Sequence, residues 1–293
     1  MKLLLKSTIC LGLLLVVAFG AHAQDLENAE VVTTKITDSI FMLGAADGGN
    51  IGVCIGEDGV FIVDDQYAPL TERIQAAIAQ LTDKPVQFVI NTHWHGDHSG
   101  GNENFGKAGA IIVAQENSRK RLEADQQLGL PPHPQAATAL KGLPKVTFDE
   151  SINFYYNGET IRIYHQGPAH SDGDAMVFFE KSNVVHMGDV FVRYGFPYVD
   201  EPSGGNVNGL IDAVNWAIEK TNDETIIIPG HGQLSKRQDM IDFSKMVTEV
   251  RDRIQQKMNE GKSLAEIQAT DPIGADVSKI VYNSILKTKN GTK

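Results

Sequence analysis

Short apolar runs come first along the chain. Residues 39–43, 50–55 and 60–63 each read as β-strands, and Glu57-Asp58-Gly59 makes a hairpin-type turn between the last two. Leu70, Ile74, Ala77, Ile78 and Leu81 then recur at helical spacing behind Pro69 and Thr71. Residues 86–90 form an apolar strand, residues 110–113 another, and residues 115–125 a polar helix. Residues 126–145 carry several Gly and Pro residues and predict an irregular loop flanking a site. A second β group occupies residues 152–156, 160–165, 175–179 and 183–186. A loop, a helix near residues 210–218 and a strand at 225–228 follow. After Gly232, Ser235 with Gln238 forms a capping-box pattern. Met240, Phe243, Val247, Val250, Ile254 and Met258 give the next helix one apolar face. Strands followed by helix, twice over, suit two packed sheets with helices outside. Pattern alone leaves that layering open.

The first residues follow a different rule. Lys2 and Lys6, a mostly apolar run over residues 9–19 and Ala21-His22-Ala23 before Gln24 have the charge–apolar–small order of a cleavable export signal. The alternative is a buried N-terminal helix. The run is too short to span a membrane, and no other segment is apolar enough. Cleavage after Ala23 leaves 270 of the 293 residues, to be exported to the periplasm or secreted. With 42% hydrophobic and 22% charged residues, that length buries a sizeable core. Loss of Lys2 and Lys6 takes the formal charge from −11 to −13. So acidic a chain repels phosphate backbones, so nucleic acid is not an expected partner. No sequence feature sets an oligomeric state. Of the two cysteines, Cys10 leaves with the signal and Cys54 stands alone in an apolar stretch. Cys54 reads as a small buried apolar residue, since no histidine or charge flanks it to make it a nucleophile.

The chemistry concentrates after the strand at 86–90, in Thr92-His93-Trp94-His95-Gly96-Asp97-His98-Ser99-Gly100-Gly101-Asn102. Four residues able to bind metal fall within six positions. In an extended or turning backbone His93 and His95 share one side, and Asp97 and His98 turn towards a second ion. Imidazole and carboxylate suit zinc, and the glycines allow a sharp turn. Three further candidates, His170, Asp189 and His231, each lie at the end of a predicted strand or in the loop after it. Ligands gathered from several loops at one rim of a sheet scaffold are what an active site needs.

His-x-His-x-Asp-His followed by separate His, Asp and His positions resembles the metallo-β-lactamase superfamily over nearly the whole mature chain. The resemblance implies a single-domain αββα sandwich over residues 24–293, with C-terminal helices from about residue 235. It implies that His93, His95 and His170 hold one zinc, that Asp97, His98 and His231 hold a second, and that Asp189 bridges them. Iron or manganese suits the same donors. Two close cations lower the pKa of a shared water, giving a hydroxide that attacks an ester, lactone, thioester or cyclic amide carbonyl of a small-molecule substrate. Asp97 is the expected residue for orienting that nucleophile or passing on its proton. Asp64 and Asp65, at a strand end, either hold the imidazoles from behind or simply end the strand.

Departures from the family's patterns bear on the substrate. Thiolate-containing β-lactamases have cysteine where Asp189 stands and arginine where His98 stands. Their carboxylate-binding lysine falls at Val192; Arg193 beside it either substitutes or is a plain surface arginine. Gly205-Asn206-Val207 resembles their substrate-binding segment, although Asn206 also suits the turn before a helix. A true β-lactamase is therefore the alternative reading. Glyoxalase II shares the metal set but normally adds a C-terminal helical region with basic residues for glutathione, whereas the helices here mix acidic and basic residues with no evident basic cluster; flavodiiron proteins place glutamate where His95 stands. Phosphodiester or sulfate-ester hydrolysis and a non-catalytic binding role are the remaining readings, the last disfavoured by an intact ligand set.

Overall fold

Strands apolar in both phases of their alternation must lie inside a stack of layers. In β2 (Ile40–Gly44), Ile40 and Met42 join one hydrophobic cluster while Phe41 and Leu43 join another. In β4 (Gly59–Val63), Phe61 and Val63 join the first and Val60 and Ile62 the second. The computed structural model describes Leu26, residues 29–128 and residues 133–289. The expected export signal lies outside the described residues.

Seven strands form the first sheet, in the order β1 (Val32–Lys35), β2, β3 (Ile51–Gly56), β4, β5 (Val86–Ile90), β6 (Ile111–Gln115), β9 (Val146–Phe148). Five form the second, in the order β10 (Ser151–Tyr156), β11 (Glu159–Tyr164), β12 (Met176–Phe179), β13 (Val184–His186), β14 (Ile226–Ile228). Between the sheets, Ile40, Phe61, Val63 and Ile90 meet Ile161, Val177, Phe179 and Ile228. On the outer face of the first sheet, Ile74 and Ile78 of α1 (Thr71–Ala79) pack with Val60, Ile62 and Val89. On the outer face of the second, Met176, Phe178 and Val185 share a cluster with α5 (Val207–Lys220), α6 (Arg237–Asn259), α7 (Leu264–Thr270) and α8 (Ala275–Lys289). The layers are α, β, β, α, as the resemblance implies.

One feature of the pairing positions the site. The pairs β4–β5, β5–β6 and β13–β14 are parallel, with Val63 opposite Ile90 and His186 opposite Ile228. Parallel pairing sets the C-terminal ends of neighbouring strands side by side. Ligands in open α/β sheets collect at such ends.

Several local expectations shift. The Ser235–Gln238 capping box is not the one that forms. Ser235 is held in an extended bridge by two 2.9 Å backbone hydrogen bonds with Ile227. Capping therefore moves on one residue, and the Lys236 N–H donates to the Asp239 carboxylate at 2.8 Å. The apolar face of α6 is as predicted, with Met240, Phe243, Val247, Val250 and Ile254 buried and Met258 packed beside them. Residues 126–145, read as irregular, contain the antiparallel pair β7 (Gln126–Leu128) and β8 (His133–Gln135). The periodicity did not reveal β1 or β9: β1 is largely exposed at the sheet edge, and β9 has three residues. Cys54 lies fully buried between the sheets, and burial pushes its thiol up to about 11.

A charge cluster ties the C-terminal helices down. The buried side chain of Asp271, between α7 and α8, accepts from Arg253 at 2.8 and 2.9 Å and from Lys257 at 3.0 Å. The Arg253 hydrogen bond is the main cause that holds the Asp271 carboxyl below its usual range.

Phe61 is fully buried, with the rings of Phe154, Phe88 and Phe179 centred 5.3, 6.1 and 6.2 Å away. Phe61→Ala is expected to cost about 3–5 kcal/mol in urea unfolding; a loss below about 1 kcal/mol would show that the two sheets do not depend on this contact.

Candidate metal centre

Every nominated ligand sits at the rim defined by the parallel strand ends. His93 and His95 follow β5, and Asp97 and His98 lie in the short helix α2 (Gly96–Ser99). His170 occupies the loop between β11 and β12, Asp189 the turn after β13, and His231 the turn after β14. The structure gathers all seven. Ligand atoms of His93, His95 and His170 lie within 4.8 Å of one another. The same holds for His93, His98 and Asp189, and for Asp97, His98 and His231. Asp189 spans the cluster: one carboxylate oxygen is 3.2 Å from His98 Nε2 and 3.5 Å from His231 Nε2, and the other is 3.8 Å from His170 Nε2. Gly230 is required beside it, because a Cβ there would overlap the Asp189 carboxylate.

The outer hydrogen bonds set which imidazole nitrogen faces inward. Thr92 Oγ1 donates to Asp64 at 2.7 Å, so it accepts from His93 Nδ1 at 3.0 Å. His93 Nε2 is left buried and without a hydrogen-bond partner. His95 Nε2 donates to the buried Asp200 carboxylate at 3.0 Å, and His170 Nδ1 donates to the Tyr198 carbonyl at 2.8 Å. Their remaining nitrogens, His95 Nδ1 and His170 Nε2, then face each other at 3.0 Å as two lone pairs. His98 Nδ1 donates to Asp64 Oδ2 at 2.7 Å, turning its Nε2 to within 3.2 Å of His231 Nε2. Facing lone pairs repel unless a cation lies between them, and a buried acceptor with no donor is costly. The donor set fits divalent ions with imidazole and carboxylate ligands.

Charge in the cluster agrees. Burial, with the rings of His98, His95 and His170, holds His93 well below the usual imidazole range. Burial also lowers His95. For His98, burial opposes the charge, but Asp189, Asp97 and Asp64 outweigh it and hold the ring well above its usual range. For His231, burial is likewise overcome by Asp189 and Asp97, and the ring rises to about 9. Burial would raise Asp97, yet His98 and His231 bring it down to about 2. The same neighbours keep Asp189 low against its burial.

Of the two strand-end acids, Asp64 holds the histidines from behind. Its carboxylate also accepts the Thr92 N–H at 2.7 Å. Asp65 accepts from Gly101 N at 2.9 Å, and burial followed by the Asp64 charge drives its carboxyl well above the usual range. Asp200 and the Tyr198 carbonyl carried no sequence signal: Asp200 is 105 positions from the ring it orients.

The two nominated substrate-binding residues adjoin the ligand-bearing loops through their backbones: Arg193 N donates to the His231 carbonyl at 3.1 Å and Asn206 N to that of Ala169 at 2.8 Å. Asn206 caps α5, accepting from Asn208 N at 2.8 Å and Gly209 N at 3.3 Å. Arg193 pairs with Asp239 at 2.9 Å and lines a cavity of about 620 Å³ whose lining also includes Asp47, Tyr194 and His231. A second cavity, of about 600 Å³, opens directly over His95, Asp97, Asp189 and His231. Tyr67, Tyr194, Phe196 and Tyr198 contribute its aromatic walls, and α8 supplies a further side.

Fold, rim and donor set together define a metal-binding α/β enzyme scaffold. The family model for the metallo-beta-lactamase superfamily matches residues 44–231, more than half of the chain, and the chain belongs to that superfamily. Among curated relatives, it is 25% identical over 195 residues to a lactamase-like protein, aptB, of Emericella nidulans, covering 63% of this chain and 55% of that protein. It is 26% identical over 222 residues to the alpha subunit of a 2,4-dinitroanisole O-demethylase of a Nocardioides species, covering 71% of this chain and 58% of that protein. The chain thus spans little more than half the length of these relatives. Among solved structures, a metallo-beta-lactamase from Pontibacter korlensis superposes with a TM-score of 0.63 at 17% identity, over 75% of this chain and 99% of that one. DIM-1 metallo-beta-lactamase superposes with a TM-score of 0.60 at 18% identity, over 75% and 98%. These likenesses establish the fold.

Residues that orient metal ligands from behind typically change metal affinity by about 10–100-fold. Asp64→Asn is expected to weaken zinc binding by that factor in a competitive chelator titration. An unchanged affinity would mean that His93 and His98 are oriented without it.

Proposed function

We propose that this chain is an exported metal-dependent hydrolase that holds two zinc ions. His93, His95 and His170 would hold one, and Asp97, His98 and His231 the other, with the Asp189 carboxylate available to both groups. One observation carries this reading: the inward-facing nitrogens of His93, His95 and His170 converge without a hydrogen to share, and the Asp189 carboxylate reaches from this group to His98 and His231. When bound, two such ions supply Lewis acidity and a water acidic enough to be deprotonated at neutral pH. The chain's own residues do the rest. Asp97, ionised and 20% exposed beside the cavity, orients the attacking water and takes its proton. Tyr67, whose phenol is raised by burial and then by Asp97 and Asp47, stays protonated and serves as a hydrogen-bond donor. The aromatic walls exclude bulk water from the reacting bond.

The substrate class is an ester, lactone, thioester or cyclic amide. A relative named for O-demethylation of 2,4-dinitroanisole adds support for an aryl group in the substrate. A true β-lactamase has less support, since Asn206 is engaged as a helix cap, Arg193 is paired with Asp239 and Val192 is buried. Export rests on the leader's charge–apolar–small order.

Aryl acetates and lactones, followed with the purified zinc-loaded protein, provide the test. A chelator should abolish turnover and zinc should restore it. Metal analysis should return two ions per chain. Asp97→Ala should lower kcat by about 10²–10⁴-fold with the circular dichroism spectrum intact. Full turnover in a chelated protein would remove the metal from the reaction. Wild-type turnover in Asp97→Ala would remove Asp97 from its role.

A further inference from the structure

The cavity over the ligands has a charge and shape that discriminate among the substrates open to a hydrolase. Asp47 and Asp276 bring carboxylates to its lining, and both residues are exposed. Tyr194 stands against the ring of His231, with centroids 5.7 Å apart. Tyr198 stands against His95 and His170, at 6.2 and 5.9 Å. Aromatic faces therefore border both halves of the metal cluster. Phe196 lies between these tyrosines in sequence, and Val277 and Ile280 of α8 add aliphatic surface. Among the described residues, no Lys or Arg lines this cavity. Arg193 lines the adjoining cavity, which shares Asp47, Tyr194 and His231 with this one, and its guanidinium is paired with Asp239 at 2.9 Å. The unpartnered His93 Nε2, 1% exposed, marks the reacting end of the site.

We propose that this cavity selects an uncharged or cationic substrate bearing an aromatic or bulky apolar group, and rejects one that carries a carboxylate away from the scissile bond. The inference rests on the hydrolase reading for its catalytic test and on nothing but the cavity for its binding test. The physical basis is threefold. Aromatic faces attract apolar rings and cations. Carboxylates at a partly desolvated mouth repel anions and raise the local concentration of cations. Away from the candidate ligands His95 and His231, an anion meets no lysine or arginine among the described lining residues to replace its lost hydration. The metal ions partly offset the acid of the ligand cluster itself, but Asp47 and Asp276 are outside it and keep their influence on the distal end of the substrate.

Three para-substituted phenyl acetates with one scissile ester provide the first measurement: trimethylammoniomethyl, methyl and carboxylate. On the zinc-loaded protein, kcat/KM is expected to fall at least about tenfold from the methyl to the carboxylate ester, a difference of about 1.4 kcal/mol. The cationic ester should be at least as good as the methyl one. Asp276→Lys should narrow the ratio between carboxylate and cationic esters. Equal kcat/KM for all three, or a ratio untouched by Asp276→Lys, overturns the proposal. The second measurement needs no turnover. Calorimetric titration of the zinc-loaded protein with benzyltrimethylammonium should show binding that weakens at least about fivefold in Phe196→Ala and in Asp276→Asn. No binding, or binding indifferent to both substitutions, also overturns it. If benzyltrimethylammonium binds as expected while no ester is hydrolysed, the hydrolase reading fails and the cavity's preference stands. If esters are hydrolysed without charge discrimination, the reverse holds.

Discussion

The buried carboxylate of Asp64 is the constraint on which the rest of the site depends. It ends β4 in a left-handed backbone conformation, φ 64°, that a non-glycine residue adopts at a cost of about 1–3 kcal/mol. Three hydrogen bonds of 2.7 Å, from the Thr92 N–H, the Thr92 hydroxyl and His98 Nδ1, offset that strain. Through Thr92 the same carboxylate sets the tautomer of His93, and through His98 it reaches the group that contains His231. One side chain thus fixes the orientation of a ring in each half of the cluster. Its place at the rim follows from the parallel pairing of β4 with β5, which sets the two strand ends side by side.

The ligand set was legible in the sequence because metal binding demands particular residue types, and the first four fall within six positions. His170, Asp189 and His231 were legible for a weaker reason, their position after predicted strands. Asp200 was not legible. It orients His95 from a loop 105 residues away, and no local pattern marks a contact made only by folding. The same limit explains the shifted cap of α6. Ser235 has the right chemistry, but its backbone is drawn into a bridge with Ile227, a residue of a different element. Strands were legible where both alternating faces are apolar, as in β4, and not where a sheet edge is left to solvent, as in β1.

Asn206 shows how one residue type serves two explanations. An asparagine before a helix suits substrate recognition and suits capping, and the sequence does not separate them. In the structure its side-chain oxygen accepts two backbone N–H groups at the start of α5, which accounts for the capping role. Arg193 is similar. Its guanidinium forms an ion pair with the first turn of α6, which joins that helix to the strand-end loops.

All seven ligands lie within residues 44–231, whereas Asp276, Val277 and Ile280 come from α8, held by the Asp271 cluster beyond that stretch. The two halves of the task are therefore written in separate parts of the chain. A change in α8 that keeps its packing against Ala169 and Val190, the neighbours of His170 and Asp189, would alter that wall of the cavity while leaving the segments that carry the donor atoms unchanged.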